Sequence, residues 1–462
     1  MESRNGLERR LGLFAVTNIV IANMVGAGIF TTSGLLMQDL KSPVVMISLW
    51  AVGGIVALCG ALCYGELGAA MPHAGGEYVF LSRLFHPILG FLSGWVSFFA
   101  GFSAPIAASA IGFSEYMGRA FPFVGGPGNV GGSPEISLIK KLIAILVIII
   151  FTVIHLRGIE FGARVQNLLT VLKVGLVVGL VFAGFALGQG SGAHFSQGEV
   201  FRFDFGGWKT LGLSLMWIMF AYSGWNASAY IGSEIKNPAR NLPLSLLLGT
   251  AGVAVMYFGL NLYYVYAVPP GDMSGVISIG GLAVGNSFGP SYETVLSVMI
   301  SFALFSSLSA FIILGPRVYY SMARDGYFFR FAAFVHPRFG VPSTSIILQG
   351  AIAVLMVLLG TFDQILTYMG FSLGIFPLLA VVGIFRLRRR NPEGVRMPGF
   401  PLVPVIYLLA GGTILTLALF QRPLESGIAI LMVLIGIPVY FAFTGGKGSL
   451  DGTTSSPPSH RT

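Results

Sequence analysis

Twelve stretches of this chain are too apolar and too long to be at home in water, and that property limits the fold more than any motif does. They run over about 12–38, 43–70, 88–117, 138–156, 162–188, 209–233, 243–268, 291–324, 343–360, 363–387, 401–420 and 426–444. A helix needs about 20 mainly apolar residues to cross the hydrocarbon core of a bilayer. Only 10% of the residues are charged and 55% are hydrophobic, whereas a soluble domain carries about 25% charged residues. No stretch shows the apolar/polar alternation of an amphipathic barrel strand. The expected class is an all-α polytopic membrane protein with 12 transmembrane helices. The 63 glycines fit helices that pack closely in lipid.

A net charge of +9 could point to nucleic acid, but its distribution argues otherwise. With the N-terminus inside, 19 of the 27 Lys and Arg fall on the inner side, 7 on the outer, and Lys173 lies within a span. Such a bias is the positive-inside pattern of a membrane protein. The expectation is a multi-pass protein of the cell (inner) membrane with both termini cytoplasmic, a lipid bilayer around it and no nucleic-acid partner. Residues 1–11 form the N-terminal segment. They lack the short apolar core and small-residue cleavage site of a signal peptide. The Gly-, Ser-, Thr- and Pro-containing tail 445–462 reads as disordered. Cys59 and Cys63 lie four apart on one helix face, a geometry ill suited to a bridge, and read as core or lipid-facing thiols.

Two of the apolar stretches are interrupted. The first carries Ala22-Asn23-Met24-Val25-Gly26-Ala27-Gly28-Ile29-Phe30, and the sixth carries Phe220-Ala221-Tyr222-Ser223-Gly224-Trp225-Asn226. Glycine weakens a helix, and in lipid the freed backbone groups need protein or a watery cavity to satisfy them. Around Gly26, Ala27 and Gly28 the N–H groups opening a second half-helix suit a carboxylate. Near Val25, the carbonyls of Ile21 and Ala22, with those of Phe220 and Ala221, suit an ammonium. An α-amino acid presents both groups on one carbon. The competing explanation of the first patch is a small-residue face that lets another helix approach. In the second patch Ser223 and Gly224 supply the flexible step, Phe220 suits an apolar gate, and Asn226 is a polar group at membrane depth.

The interruptions stand five spans apart. That spacing is what two inverted five-helix repeats produce, here 12–188 and 209–387, with 401–444 appended as two extra helices. No residue-level repeat between the halves supports it; the reading rests on the breaks and the topology.

Lys173 lies roughly 16 Å along span 5 from its entry at Gly162, taking about 1.5 Å per residue. A lysine at such depth is costly unless paired or neutral, which makes it a functional candidate; snorkelling to the interface is the alternative. Kept charged, it is a fixed cation. With its charge suppressed by burial, it can carry a proton. Other ionisable groups have blander readings. Glu66 and Glu234, near inner helix ends, are expected to pair with Arg or bond loop backbone. Glu115 and Asp363 are expected to be solvated near the outer face, and His155 to be structural. Trp50, Trp95 and Trp217 need no role beyond packing or anchoring. No metal cluster, phosphate loop or nucleophile triad is present, so neither a cofactor nor an enzymatic role is expected.

Several motifs together carry a family resemblance. They are Val25 to Phe30, Tyr64-Gly65-Glu66-Leu67-Gly68-Ala69-Ala70-Met71-Pro72, Gly75-Gly76-Glu77-Tyr78, Phe220 to Asn226, and Glu234 to Pro243. In this order the chain resembles the amino acid–polyamine–organocation (APC) superfamily, most of all its L-type and bacterial amino-acid transporters. The resemblance implies a LeuT-like fold and alternating access, with Phe220 as proximal gate and Asn226 lining the substrate cavity. It further implies that Lys173 replaces the sodium ion that braces span 1 against span 8 in sodium-driven relatives. Ser306, Ser307 and Ser309 on span 8 are its candidate neighbours. The reading is a sodium-independent amino-acid transporter, an exchanger or proton-coupled. A cavity without an acidic residue favours neutral substrates. Cationic amino-acid or polyamine transport, or an amino-acid sensor that does not transport, are the alternatives.

Overall fold

A computed structural model describes residues 7–121, 134–276, 279–359, 362–391 and 393–445. The tail from 446 and the side chain of Asp363 lie outside the described residues. Helices occupy all twelve expected stretches, and no named strand occurs among the described residues. Nine helices there are long and apolar enough to cross a membrane. The chain is a multi-pass membrane protein.

The chain runs as α1 (Leu13–Met24), α2 (Ala27–Leu40), α3 (Pro43–Ala70), α4 (Glu77–Leu84), α5 (Pro87–Val96) and α6 (Ala104–Ala120). Next come α7 (Pro134–Leu156), α8 (Ile159–Ala186), α9 (Phe205–Ala221), α10 (Ala227–Tyr230) and α11 (Pro238–Ala267). After them follow α12 (Ile279–Phe288), α13 (Pro290–Arg324), α14 (Ser343–Leu359), α15 (Phe362–Arg390), α16 (Leu402–Gln421) and α17 (Pro423–Gly445). Proline sits in the first turn of α3, α5 and α11, where its missing N–H costs no helical hydrogen bond.

The outward faces identify the solvent. On α7, Leu138, Leu142, Leu146, Ile149 and Val153 are about half exposed at helical spacing. An apolar stripe of that length on a helix surface is stable against lipid, not water. Polar side chains are turned inward: Asn18, Gln166, Thr170, Lys173, Asn261, Ser307 and Arg317 are all buried. In α1, packed against α8, α11 and α13, the inward face carries the first break to the centre of the bundle.

Both breaks are present, with different extents. The first is two residues long, Val25 and Gly26, and Gly28 already lies inside α2. The second unwinds Tyr222 to Asn226, followed by a four-residue helix and a 3₁₀ turn, so the helix expected to continue to 233 stops short. A third irregularity was not expected. Ser97–Ser103 widens into a π-helical turn between α5 and α6, a feature often found at functional sites.

Candidate functional site

The two breaks face each other, and glycine is what lets them meet. A Cβ on Gly28 would stand 2.7 Å from the Ala221 Cα, so α2 and α9 touch backbone to backbone. Here the packing explanation of Gly28 and the broken-helix explanation are both right. Gly224 adopts φ +96°, and a Cβ there would stand 2.3 Å from the Asn23 amide. A larger residue is therefore strained both by the left-handed backbone and by its neighbour.

A third helix ties the breaks together. The Tyr257 hydroxyl of α11 reaches the carbonyls of Met24 (2.6 Å) and Ala221 (3.0 Å), each at the end of a half-helix. Its ring packs edge-on against the buried Trp50, 5.5 Å between centroids. Tyr257 was not singled out from the sequence, where it is one of several tyrosines in an apolar helix.

Lys173 lies against the first break. Its Nζ donates to the carbonyls of Ala22 (3.0 Å) and Val25 and to Ser307 Oγ (3.0 Å). Ser307 in turn donates to the Val25 carbonyl at 2.6 Å. Of the three candidate serines, Ser307 meets the lysine. Ser306 instead faces Gln166 and Thr170, and Ser309 bonds His155 at 2.8 Å. Successive residues on a helix point about 100° apart, so three close serines serve different neighbours.

Beside the second break lies a cavity of about 120 Å³, small against the ~300 Å³ and upward of drug-sized sites. Phe220, Ser223, Gly224 and Asn226 line it, joined by Asn23 from α1, Ser97, Gly101 and Phe102 from the π turn, Phe311 from α13 and Tyr407 from α16. Ile21, Ala22, Val25, Gly26, Ala27 and Gly28 stand around the first break, and neither they nor Ala221 are on this wall. The Ile21 carbonyl accepts from Val25 N, the Ala22 carbonyl from Lys173 and the Phe220 carbonyl from Ser223 N, while the Ala221 carbonyl shares the single Tyr257 proton with the closer Met24 carbonyl. As Gly26, Ala27 and Gly28 form the start of α2, their N–H groups have no carbonyl one turn earlier in that helix.

Glu77 also lines the cavity, which corrects the expectation of a cavity wall without an acid. It is 2% exposed, and its Oε1 accepts from the Tyr64 hydroxyl (2.8 Å) and from Asn226 Nδ2 (2.6 Å). Burial raises its pKa above the ordinary carboxyl value, opposed by hydrogen bonds from Tyr230, Tyr64 and Asn226. In sequence it sat in a Gly-Gly-Glu-Tyr motif assigned to a loop. A carboxylate directly after two glycines was the available signal.

At one end the bundle is sealed. Arg10 and Leu11 N–H groups both donate to the Glu234 carbonyl at 2.9 Å, and Lys236 N–H returns to the Leu11 carbonyl. The Glu234 carboxylate is held by the buried Arg317 guanidinium at 2.8 and 3.1 Å. Residues before α4 cross the same end: Gly75 N–H donates to the Tyr230 carbonyl, and Ser321 donates to the Ala74 carbonyl at 2.6 Å. Glu66 accepts from Arg388 Nε and Nη2, each at 2.7 Å, and from the Met397 N–H. The pairing expected of Glu66 and Glu234 is therefore seen. Glu115 is half exposed and reaches Lys140 at 2.9 Å, and both cysteines are free and buried. No group of His, Cys, Asp and Glu able to hold a metal occurs among the described residues.

Comparison with known proteins gives concordant results. The model of a protein family described as amino acid permease matches residues 11–444. The chain is 27% identical over 454 residues to the serine/threonine exchanger SteT of Bacillus subtilis (strain 168), covering 96% of this chain and 99% of that one. It is 26% identical over 450 residues to the b(0,+)-type amino acid transporter 1 of Mus musculus, covering 95% and 88%. The Asc-type amino acid transporter 1 of the same organism is 26% identical over 451 residues, covering 95% and 82%.

Proposed function

The chain belongs to the amino acid permease family of the APC superfamily, with L-type and bacterial transporters among its relatives, and on that premise we propose a sodium-independent exchanger of neutral amino acids. Amino-acid transport follows from the family and the relatives; the finer assignments are ours. One observation carries the reading: two helix interruptions meet and are tied by one hydroxyl, and the second borders a small cavity with polar groups. In this reading the chain is a transporter built from two inverted repeats, spans 1–5 and 6–10 of twelve in a LeuT-like fold.

The Lys173 bonds favour the fixed-cation branch. An ammonium has three N–H donors and a neutral amine two, and Lys173 has three acceptors. In this reading Lys173 stands where a sodium ion would brace the first broken helix, and exchange needs neither sodium nor a proton gradient. The sealed end, rich in Arg, is cytoplasmic, as are both termini, in the cell membrane. Alternating access then requires breaking the Glu234 bonds at that end while Phe220 covers the substrate.

Neutral selectivity is supported by Glu77 Oε1, already occupied by Tyr64 and Asn226, while the buried Oε2 has no hydrogen-bond partner among the described residues. The same residue is what favours the second reading, transport of cationic amino acids or polyamines. Thermal denaturation of the purified protein with each of the twenty amino acids and with spermidine separates them. A ligand at 100 times its Kd stabilises by about 2.7 kcal/mol. Neutral amino acids are expected to raise the midpoint without sodium. Stabilisation by cationic ligands alone supports the second reading, and none by any ligand removes the binding assignment.

A further inference from the structure

At the sealed end, the loop between α13 and α14 (residues 325–341) turns apolar rings and free cations outward together. Phe329, Phe331 and Phe334 are each about half exposed, and Arg330 and Arg338 beside them are exposed too. The bundle holds the loop in place. Phe328 is buried against Phe98 (5.5 Å between centroids), Tyr319 and Phe443, and the Ala332 carbonyl accepts from Ser345 Oγ at 2.8 Å. A 3₁₀ turn over Arg330–Ala333 sets residues three apart in line, so Phe331 and Phe334 share one edge. Phe329 stacks on Phe331 (5.4 Å, 14° between planes) and meets Phe443, in the last turn of α17, edge-on at 5.3 Å. The patch therefore lies level with the ends of two apolar helices, α13 and α17, where hydrocarbon gives way to headgroups.

Exposed phenylalanines flanked by arginine suit a segment lying in the membrane interface, rings in the acyl boundary and cations at the headgroups. The cations are uncommitted. Among the described residues neither Arg330 nor Arg338 forms an ion pair, and Arg338 stacks over the Phe339 ring at 5.5 Å. The one acid of the loop, Asp325, accepts from the Tyr78 hydroxyl at 2.5 Å. Exposed Arg157 adds charge to the same rim, since a Cβ on the adjacent Gly158 would stand 3.3 Å from the Phe339 carbonyl. We propose that this loop binds anionic phospholipid, with Arg330 and Arg338 on the headgroup phosphate and Phe329, Phe331 and Phe334 among the upper acyl carbons. The site is independent of the transport reading and needs only a protein that spans the membrane. A second copy of the chain is the competing occupant of such a patch. It is disfavoured because a two-fold contact brings like charges together.

Dioleoyl phosphatidylglycerol and dioleoyl phosphatidylcholine are the paired probes, with the same acyl chains and different net headgroup charge. Each is titrated into the purified full-length protein in neutral detergent, and bound lipid is read by native mass spectrometry. The wild-type protein is expected to prefer phosphatidylglycerol, by a margin that shrinks as ionic strength rises. Arg330→Gln combined with Arg338→Gln lowers phosphatidylglycerol affinity by about 30-fold, about fivefold per arginine, and leaves phosphatidylcholine unchanged. Phe331→Ala weakens both lipids by a similar factor, because apolar insertion does not read charge. Arg389→Gln combined with Arg390→Gln, a charge-matched change at the end of α15, leaves the preference in place. Equal binding of the two lipids by wild type, an unchanged preference in the Arg330 and Arg338 variant, or its loss in the Arg389 and Arg390 variant overturns the proposal. A dimer that Phe331→Ala dissociates while lipid binding stays intact assigns the patch to a second copy and overturns it as well. Should the double variant fail to fold, the wild-type salt series decides: a preference indifferent to ionic strength sinks the headgroup contact.

Discussion

The two broken helices carry the same glycine signal and do different work. At the first break, two residues long, the carbonyls are spoken for by protein: Ala22 and Val25 by Lys173, Val25 also by Ser307, and Met24 by Tyr257. At the second, five residues of non-helical chain separate Ala221 from Ala227, and Ser223 to Asn226, with Phe220, form part of the cavity wall. One break is clamped and the other is presented. Irregular backbone in a membrane therefore does not by itself mark a ligand surface, because protein groups can consume the carbonyls it frees.

The sharpest way to break this contrast is to remove the clamp. Lys173→Met leaves the Ala22 carbonyl without a donor and takes the stronger donor from Val25. It is expected to cost about 2–3 kcal/mol of stability and to abolish exchange, as read from the thermal midpoint and proteoliposome flux. Retained flux would mean the first break needs no cation. The second region is tested by Gly224→Ala, whose strained φ and contact with Asn23 cost about 1–3 kcal/mol. There the loss should appear mainly as weaker substrate binding, a KM raised about 5- to 150-fold, with a smaller change in midpoint. A midpoint loss with KM unchanged would place the substrate elsewhere.

Tyr257→Phe touches both regions at once, deleting the hydroxyl shared by Met24 and Ala221. A loss of about 1 kcal/mol is expected, divided between midpoint and KM. An effect on the midpoint alone would say that the second break holds its shape without the tie. Ser307→Ala should be mildest, about 0.5–1 kcal/mol in midpoint with KM near wild type, since Lys173 still reaches the Val25 carbonyl. If it matched Lys173→Met, the serine rather than the ammonium would be the brace.

Much of this was legible in the chain because the signals were local. Apolar length marked the helices, glycine against apolar context marked both breaks, and a lone lysine at depth marked Lys173. What escaped notice depends on distant pairs. Tyr257 is ordinary in sequence and gains its place only when α11 packs across both breaks. Asn23 sat inside the quoted patch, but its contact with Gly224 lies two hundred residues away in the chain. Glu77 looked like a loop residue until α4 folded it against Tyr64 and Asn226. The carbonyls of Ala22 and Ala221 were assigned to substrate because sequence does not show that Lys173 and Tyr257 reach them first. The π turn at Ser97–Ser103 had no periodicity of its own to announce it.

The central claim is exchange of neutral amino acids through a site clamped by a lysine in place of sodium. Counterflow tests it most directly: labelled neutral amino acids are offered to proteoliposomes that are either preloaded or empty, in sodium-free buffer with equal pH on both sides. The account predicts rapid, saturable accumulation in preloaded vesicles only, unchanged when sodium or a pH gradient is added. Accumulation in empty vesicles that depends on sodium or on the pH gradient would contradict it.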